Sequence, residues 1–135
     1  MRIREYTVYN EQEVLRLYSA VGWVAYTRDP DALKRGFSGS LLVLAAYEGE
    51  ELVGILRAVG DGATIVFIQD IIVSPQWQRQ GVGTALVREL IARFPGVRQI
   101  ELAADDDPKL AAFYSSLGFG EFSSLGCRGF MRIGH

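Results

Sequence analysis

Two glycines, Gly81 and Gly83, lie where an apolar run ends and a helical pattern begins, within the stretch QRQGVGT at residues 78–84. Glycine lets a ligand approach the backbone closely, and the first N–H groups of a helix have no acceptor inside the helix. Such a helix N-terminus attracts anions, and the side chains of Arg79 and Thr84 add donors. The spacing therefore predicts a phosphate or pyrophosphate site, although a tight turn with a purely structural role fits the same residues.

We call residues 78–84 the glycine turn. Two common phosphate-binding patterns are absent from it. The chain has no G-x-x-x-x-G-K-[ST] segment, which excludes a P-loop. The dinucleotide pattern G-x-G-x-x-G fails as well, because Leu86 occupies the third glycine position. A phosphate-bearing ligand at this turn would therefore belong to another class.

Hydrophobic periodicity predicts the elements on either side of the turn. Residues 64–73 form a near-continuous apolar run, which predicts a central strand buried on both faces. Residues 81–94 place apolar side chains at intervals of three and four, which predicts an amphipathic helix.

The remaining elements complete an α/β (α+β) pattern. Further strands are predicted at 3–8, 41–47, 52–59, 99–104, 119–122 and 128–133, and further helices at 10–22, 29–39 and 107–118. The strand at 99–104 must cross over the preceding helix, so we expect it to pair in parallel. The last two strands are expected to form a closing hairpin. The sum is a mixed, mostly antiparallel sheet of six to seven strands, with about four helices on its two faces.

Composition limits the possible classes of function. With 135 residues, 49% apolar and 22% charged, the chain is predicted to be a single soluble domain spanning 1–135. The net charge of −2 lacks the basic surplus of most nucleic-acid-binding proteins, so we expect no nucleic-acid partner. No apolar run reaches membrane-spanning length, so we expect no membrane partner.

The cysteine and histidine counts argue against metal chemistry. Cys127 is the only cysteine, so we expect no intrachain disulfide and no cysteine cluster, and a cytoplasmic location fits. The only histidine is His135, which disfavours a histidine base or a zinc site. We therefore predict no metal.

A second segment, FYSSLGF at residues 113–119, places the glycine turn in a family. A strand ending in IIVSP, then Q-x-x-G-x-G opening a helix, then FYxxLGF resembles the GNAT N-acetyltransferases, and the predicted order of strands and helices matches as well. The segment LYSAVGWVAYTRDPDAL at residues 17–33 is similar to a branch that includes plastid serotonin N-acetyltransferase-like enzymes. The resemblance implies acetyl-CoA as cofactor, CoA as product and an amine as acceptor.

The resemblance also implies which residues hold the cofactor. In this fold the central strand separates from its neighbour at a bulge, and its exposed backbone would pair with the pantetheine arm. The pairing residues would be Ile71, Ile72 and Val73. The pyrophosphate would bind the glycine turn, at Arg79, Gln80, Gly81, Val82, Gly83 and Thr84.

Three downstream residues are further cofactor candidates. Asp107 stands where the family often has asparagine, and whether it contacts the cofactor or only caps its helix stays open. Lys109 is expected to offset that negative charge or reach a ribose phosphate. Phe113 is predicted to lie against the cofactor.

Two residues are candidates for proton transfer. Tyr114 resembles the family's general acid, because a phenol is protonated at neutral pH; a packing residue with a hydrogen-bonded hydroxyl fits it too. Asp70 is a carboxylate in an apolar strand, where burial would suit it to accept a proton from the incoming ammonium, directly or through water. A structural aspartate bonded to backbone at the bulge fits equally well. Gln69 is expected on the opposite face of that strand.

The route of transfer follows from what surrounds Cys127. No evident base lies near this cysteine in the sequence, which disfavours a ping-pong route through an acyl-cysteine. Direct attack of the amine in a ternary complex is the simpler prediction. Catalysis would then rest on positioning and on oxyanion stabilisation by a backbone N–H of the separated strand.

The acceptor is predicted only in outline. Residues 22–28 are predicted to form a loop rich in aromatic and hydrogen-bonding groups, and Trp23, Tyr26 and Arg28 would line a substrate pocket; a loop that plugs the core fits as well. The aromatic rings suit an aryl-alkylamine or a cation-bearing small molecule, while a protein amine stays open. Rival functions are a non-catalytic acyl-CoA sensor and a nucleotide-binding regulatory domain. A homodimer through an exposed strand edge is possible on this pattern.

Overall fold

The computed structural model describes residues 1–134, and contacts between residues divide the chain into two compact units, Met1–Ala103 and Ala104–His135. The first unit holds five strands: β1 (Arg2–Glu5), β2 (Leu42–Glu48), β3 (Glu51–Gly60), β4 (Ile65–Val73) and β5 (Gln99–Leu102). They form one sheet in the spatial order β1-β2-β3-β4-β5. The organisation of residues 1–135 as a single domain stays a prediction.

Strand pairing confirms a mixed, mostly antiparallel sheet. The pairs β1–β2, β2–β3 and β3–β4 are antiparallel, and β5 runs parallel to β4 as predicted. The predicted number of strands was too high, since residues 1–134 contain five strands rather than six to seven.

The first unit also contains α1 (Glu11–Ala20), α2 (Val24–Thr27), α3 (Pro30–Ser38) and α4 (Val82–Arg93). The starts of α1 and α3 agree with the sequence: Asn10 Oδ1 accepts a hydrogen bond from Glu13 N at 3.3 Å, and Asp29 Oδ1 accepts one from Ala32 N at 3.2 Å.

The single-turn helix α2 was not predicted. Its segment had been expected to be a loop. With α5 (Pro108–Ser116), which was predicted, residues 1–134 contain five α-helices rather than about four. The rings of Trp23 and Tyr26 pack edge-on against Tyr18, with centroids 6.0 and 5.5 Å from the Tyr18 ring. This packing holds the segment compactly against α1.

Helices cover both faces of the sheet. Side chains of α1 and α3 form one buried cluster with β2, β3 and β4, which includes Val14, Leu17, Tyr18, Leu33, Phe37, Val43, Ala45, Ile55 and Ile72. The opposite face is covered by α4, whose buried residues are Val82, Leu86, Val87 and Leu90. The sheet is therefore the middle of three layers.

A bulge at Gln69 changes the face to which β4 points its side chains. Ile68 lies opposite Ala58 and Asp70 lies opposite Arg57, so Gln69 is an extra residue in β4. The bulge directs Asp70 to the α1 and α3 side, where Ile72 is also buried. Burial of β4 on both faces was wrong in part, because Gln69 is exposed and the alternate residues Ile65, Phe67, Ile71 and Val73 are half-buried.

Gly54 allows α4 to lie close to β3, and we expect Gly54→Ala to lower the free energy of unfolding by about 1–3 kcal/mol through overpacking. A Cβ at this position would lie 2.9 Å from Val82 Cγ1 and 3.2 Å from Leu86 Cδ1. Urea denaturation measures the change. Gly96→Ala is the matched control, because a Cβ there meets no atom within 4 Å. Equal stability of the two variants would contradict this close approach.

The second unit contains α5, and Asp107 caps it by accepting a hydrogen bond from Lys109 N at 2.8 Å. The closing hairpin predicted for residues 119–122 and 128–133 was wrong. Phe122–Leu125 is a 3₁₀-helix, and residues 127–134 form no strand. Local bonds account for the difference, because Gly126 N donates to Ser123 O and Cys127 N donates to Phe122 O.

Candidate active site

One side of β4 is open beyond the bulge. Pairing with β5 covers only Ile65 to Ile68, whereas pairing with β3 continues to Val73. Among the described residues, no strand pairs with positions 69–73 on the β5 side. The backbone of Ile71, Ile72 and Val73 therefore borders an edge at which an extended ligand can form strand-like hydrogen bonds.

The glycine turn leads from this open edge into α4. Arg79 has φ 64°, the only positive φ of a non-glycine residue among residues 1–134, and Gly81 has φ 84°. The side chains of Gln78 and Gln80 donate to the carbonyl oxygens of Val73 and Gln76, both at 3.0 Å. These bonds hold the turn in a left-handed conformation that a non-glycine residue such as Arg79 adopts only at a cost in free energy. Such strained residues are concentrated at binding and catalytic sites.

The N-terminus of α4 is suited to an anion. Gly81 provides no side-chain cap, and the first intrahelical bond runs from Ala85 N to Gly81 O at 3.0 Å. The N–H groups of Val82, Gly83 and Thr84 therefore have no acceptor inside the helix. The exposed Arg79 forms no ion pair with a described residue.

These features fit acetyl-CoA. An open strand edge suits its extended amide-bearing arm, and free N–H groups beside an arginine suit its pyrophosphate. The packing of Val82 against Gly54 fixes this helix end beside the end of β4, because Gly54 lies opposite Val73 in the sheet. Among the described residues, no group of three or more His, Cys, Asp or Glu could hold a metal ion.

A buried hydrogen-bond network surrounds Asp70, which lies within the part of β4 that β5 leaves unpaired. Asp70 is 1% exposed, and its Oδ2 accepts from Arg57 Nε at 2.7 Å and from the Tyr18 hydroxyl at 2.8 Å. Its Oδ1 accepts from the Tyr26 hydroxyl at 3.0 Å. We call these four residues, with Gln69, the Asp70 network.

Electrostatics of the network follow from burial and from the ion pair. Burial raises the pKa of Tyr18, and the charge of Asp70 and its hydrogen bond raise it further, so that hydroxyl stays a donor. Burial alone would lower the pKa of Arg57, but the neighbouring Asp70 carboxylate raises it. Asp70 is thus bonded to side chains rather than to backbone at the bulge.

Gln69 had been expected on the opposite face of β4 from Asp70, and this prediction was wrong. Its Nε2 donates to the Tyr26 hydroxyl oxygen at 3.2 Å, so both neighbours reach the same phenol. The bulge explains this, because it breaks the alternation of side chains along β4.

Of the three residues predicted to line a substrate pocket, two lie together at the Asp70 network and one does not. Trp23 and Tyr26 are half-buried, with ring centroids 5.9 Å apart, and Tyr26 is a member of the network. Arg28 is exposed at the end of α2 and forms none of these hydrogen bonds.

The predicted site residues did not include Arg57 or the hydroxyl of Tyr18. A signal was available for Arg57, since an arginine in one apolar strand and an aspartate in the next are rarely buried unless they pair. Tyr18 had been assigned only to the apolar stripe of α1, where nothing distinguishes its hydroxyl.

The candidates of the second unit lie on or just before α5. The Tyr114 ring packs edge-on against Phe113 and Phe119, with centroid distances of 4.9 and 6.0 Å. Burial raises the pKa of Tyr114, so its hydroxyl stays protonated at neutral pH. Asp107 serves as the helix cap, and Lys109 is exposed.

A mostly antiparallel sheet whose fourth strand loses its neighbour beside a helix that begins at glycines is the GNAT fold, and a solved structure agrees. The acetyltransferase of the GNAT family from Streptococcus pneumoniae TIGR4 superimposes with a TM-score of 0.88 at 38% identity, covering 98% of this chain and 96% of that protein. The family model described as Acetyltransferase (GNAT) family matches residues 6–119. The chain belongs to this family.

Two curated relatives are also named as N-acetyltransferases. The uncharacterized N-acetyltransferase ycf52 of Gracilaria tenuistipitata var. liui is 30% identical over 114 residues, 82% of this chain and 62% of that protein. Serotonin N-acetyltransferase 2, chloroplastic, of Oryza sativa subsp. japonica is 30% identical over 96 residues, 68% of this chain and 48% of that protein. The chain thus spans about half to three-fifths of these relatives. Within residues 1–134, no helix has the length and apolarity needed to cross a membrane.

Proposed function

We propose that the protein transfers the acetyl group of acetyl-CoA to a primary amine, by direct attack of the amine in a ternary complex. The observation that carries this proposal is the adjacency of two features in β4: the open edge begins after Ile68 and includes Asp70, whose carboxylate is bonded to the half-buried Tyr26. The edge proposed to bind the acyl carrier thus lies next to the groups proposed to take a proton from the amine.

Acetyl-CoA would supply an activated acetyl thioester. The chain would hold it through the backbone of Ile71, Ile72 and Val73 and through the glycine turn. The binding residues proposed in the turn are Arg79, Gln80, Gly81, Val82, Gly83 and Thr84. Contacts from Asp107, Lys109 and Phe113 of the second unit stay predictions, and the cap formed by Asp107 accounts for that residue without such a contact.

Two residues would handle protons. Tyr114 would hold a proton at its hydroxyl for the departing thiolate, because a phenol is protonated at neutral pH. Asp70 would accept a proton from the ammonium. Trp23, Tyr26 and Arg28 are proposed to bind the amine, and a small aryl-alkylamine or a protein amine fits this outline. A cytoplasmic location and a homodimer stay predictions.

We expect Tyr114→Phe to lower kcat by about 100-fold or more, because general acids contribute on that scale. The Kd of acetyl-CoA, measured by calorimetry, should stay within a few-fold of the wild-type value, since the ring is retained. Tyr9→Phe, a half-buried tyrosine outside the proposed site, is the control. Wild-type turnover in Tyr114→Phe would reduce Tyr114 to a packing residue.

A second candidate, a non-catalytic acyl-CoA sensor, is favoured by one observation. Three donors already occupy the Asp70 carboxylate, as they would in a purely structural ion pair. Initial-rate measurements of CoA release, with acetyl-CoA and each of several amines varied together, distinguish the candidates. Intersecting double-reciprocal lines would support transfer in a ternary complex. Parallel lines would indicate a covalent acyl-enzyme, and no release with any amine would favour the sensor.

A further inference from the structure

The Asp70 carboxylate can be reached from outside the protein through one neighbour. The Asp70 side chain is 0% exposed, and the Arg57 side chain bonded to it is 7% exposed. Tyr18, which also donates to Oδ2, is 0% exposed. Tyr26 is the half-buried member that donates to the other oxygen, Oδ1. An amine cannot contact Asp70 directly while these bonds are in place.

The Tyr26 hydroxyl has hydrogen-bonding capacity left for a ligand. It donates its proton to Asp70 Oδ1 at 3.0 Å and accepts from Gln69 Nε2 at 3.2 Å. A phenolic oxygen has two acceptor lone pairs, so one remains after the Gln69 bond. An ammonium N–H is a donor of the right kind for it. The exposed Gln69 amide fixes the orientation in which that lone pair is offered.

We propose that Tyr26 binds the acceptor ammonium and relays its proton to Asp70, a step that rests on the proposed acetyl transfer. In this step the N–H bond of the ammonium breaks and a bond forms to the Tyr26 oxygen. At the same time the Tyr26 O–H bond breaks and its proton binds Asp70 Oδ1. The amine becomes neutral, Tyr26 is unchanged and Asp70 becomes a carboxylic acid. The proton returns to solvent by the same path after the product leaves.

The surroundings of Asp70 bear on the charge balance. The titratable and charged groups that face it are Tyr18 from α1, Tyr26 from α2 and Arg57 from β3. From α3, the Phe37 ring lies 5.8 Å from the Arg57 guanidinium carbon. The arginine keeps its charge throughout, so the relay moves one positive charge from the ammonium to the network without changing the total. The substrate class that needs such a relay is an amine that is protonated at neutral pH.

Tyr26→Phe and Tyr18→Phe form a matched pair, because each removes one hydroxyl donor to Asp70 and only Tyr26 adjoins solvent. With phenethylamine as the acceptor amine, we expect Tyr26→Phe to lower kcat/KM at neutral pH by about 100-fold. The loss should shrink as the pH approaches the amine's pKa of about 10, since solution then supplies neutral amine. Tyr18→Phe should lower kcat/KM by less than about tenfold with an unchanged pH profile.

An isosteric weak base provides the second comparison. O-Benzylhydroxylamine has the length of phenethylamine but is neutral at neutral pH, so Tyr26→Phe should process it at nearly the wild-type rate. Binding gives a readout without turnover: with CoA present, calorimetry should show phenethylamine bound about tenfold more weakly by Tyr26→Phe, and O-benzylhydroxylamine bound equally by both proteins.

The outcomes separate this inference from the proposed function. Wild-type turnover with Tyr26→Phe equally active on phenethylamine would overturn the relay and leave acetyl transfer intact. Equal loss for both amines at every pH would also overturn it, because that pattern indicates a structural role. Absence of wild-type turnover on every amine would remove both proposals. Circular dichroism and thermal melting confirm that each variant is folded.

Discussion

Replacing Asp70 by alanine is expected to lower the free energy of unfolding by about 3–5 kcal/mol, because it leaves the Arg57 guanidinium buried without its carboxylate. The pair is 2.7 Å apart, with side chains that are 7% and 0% exposed. The hydroxyl of Tyr18, which is fully buried, would also lose its acceptor. Urea denaturation followed by circular dichroism measures the loss.

The control for this prediction is Asp106→Ala, which removes an exposed carboxylate and should change stability by less than about 0.5 kcal/mol. A double variant, Asp70→Leu with Arg57→Met, should recover much of the loss, since apolar replacement of a buried ion pair is often close to neutral. Near wild-type stability of Asp70→Ala alone would contradict a tightly bonded network.

Replacing Gly81 by alanine is expected to weaken acetyl-CoA binding by about 100-fold, the equivalent of two hydrogen bonds to a charged group. Gly81 has φ 84°, and a Cβ there meets no protein atom within 4 Å. The added methyl therefore has room in the protein itself and would crowd a ligand bound at the α4 N-terminus. Isothermal titration calorimetry gives the Kd directly.

Gly49→Ala is the control, because Gly49 also has positive φ and no atom within 4 Å of a Cβ, but lies in the turn between β2 and β3. It should show the same small loss of stability from the left-handed backbone, with unchanged acetyl-CoA affinity. Equal affinity of both variants would remove the glycine turn from the cofactor site.

Local pattern was sufficient to predict the elements that frame the site. The apolar spacing after Gly81 gave α4 to within a residue at each end, and the run before the turn gave β4. The parallel pairing of β5 followed from the need to cross over α4. Each of these inferences depends on residues close together in the chain, where periodicity and turn chemistry are informative.

Contacts between distant residues were not predictable in the same way. Tyr18 lies 52 positions before Asp70, and whether its hydroxyl finds a carboxylate depends on how α1 packs over the sheet. The side to which Gln69 points depends on one extra residue in β4, which apolar patterning does not reveal. The prediction of two C-terminal strands was wrong for a related reason, since the N–H groups of Ser124, Gly126 and Cys127 donate to carbonyl oxygens three to five residues earlier.

The central claim is acetyl transfer to an amine, and product analysis by mass spectrometry tests it most directly. The wild-type protein is incubated with acetyl-CoA and a panel that includes aryl-alkylamines, diamines and a lysine-containing peptide, while calorimetry confirms that acetyl-CoA binds. Our account predicts an N-acetylated product from at least one amine, in an amount equal to the CoA released. Tight acetyl-CoA binding with no acetylated product from any amine would contradict it.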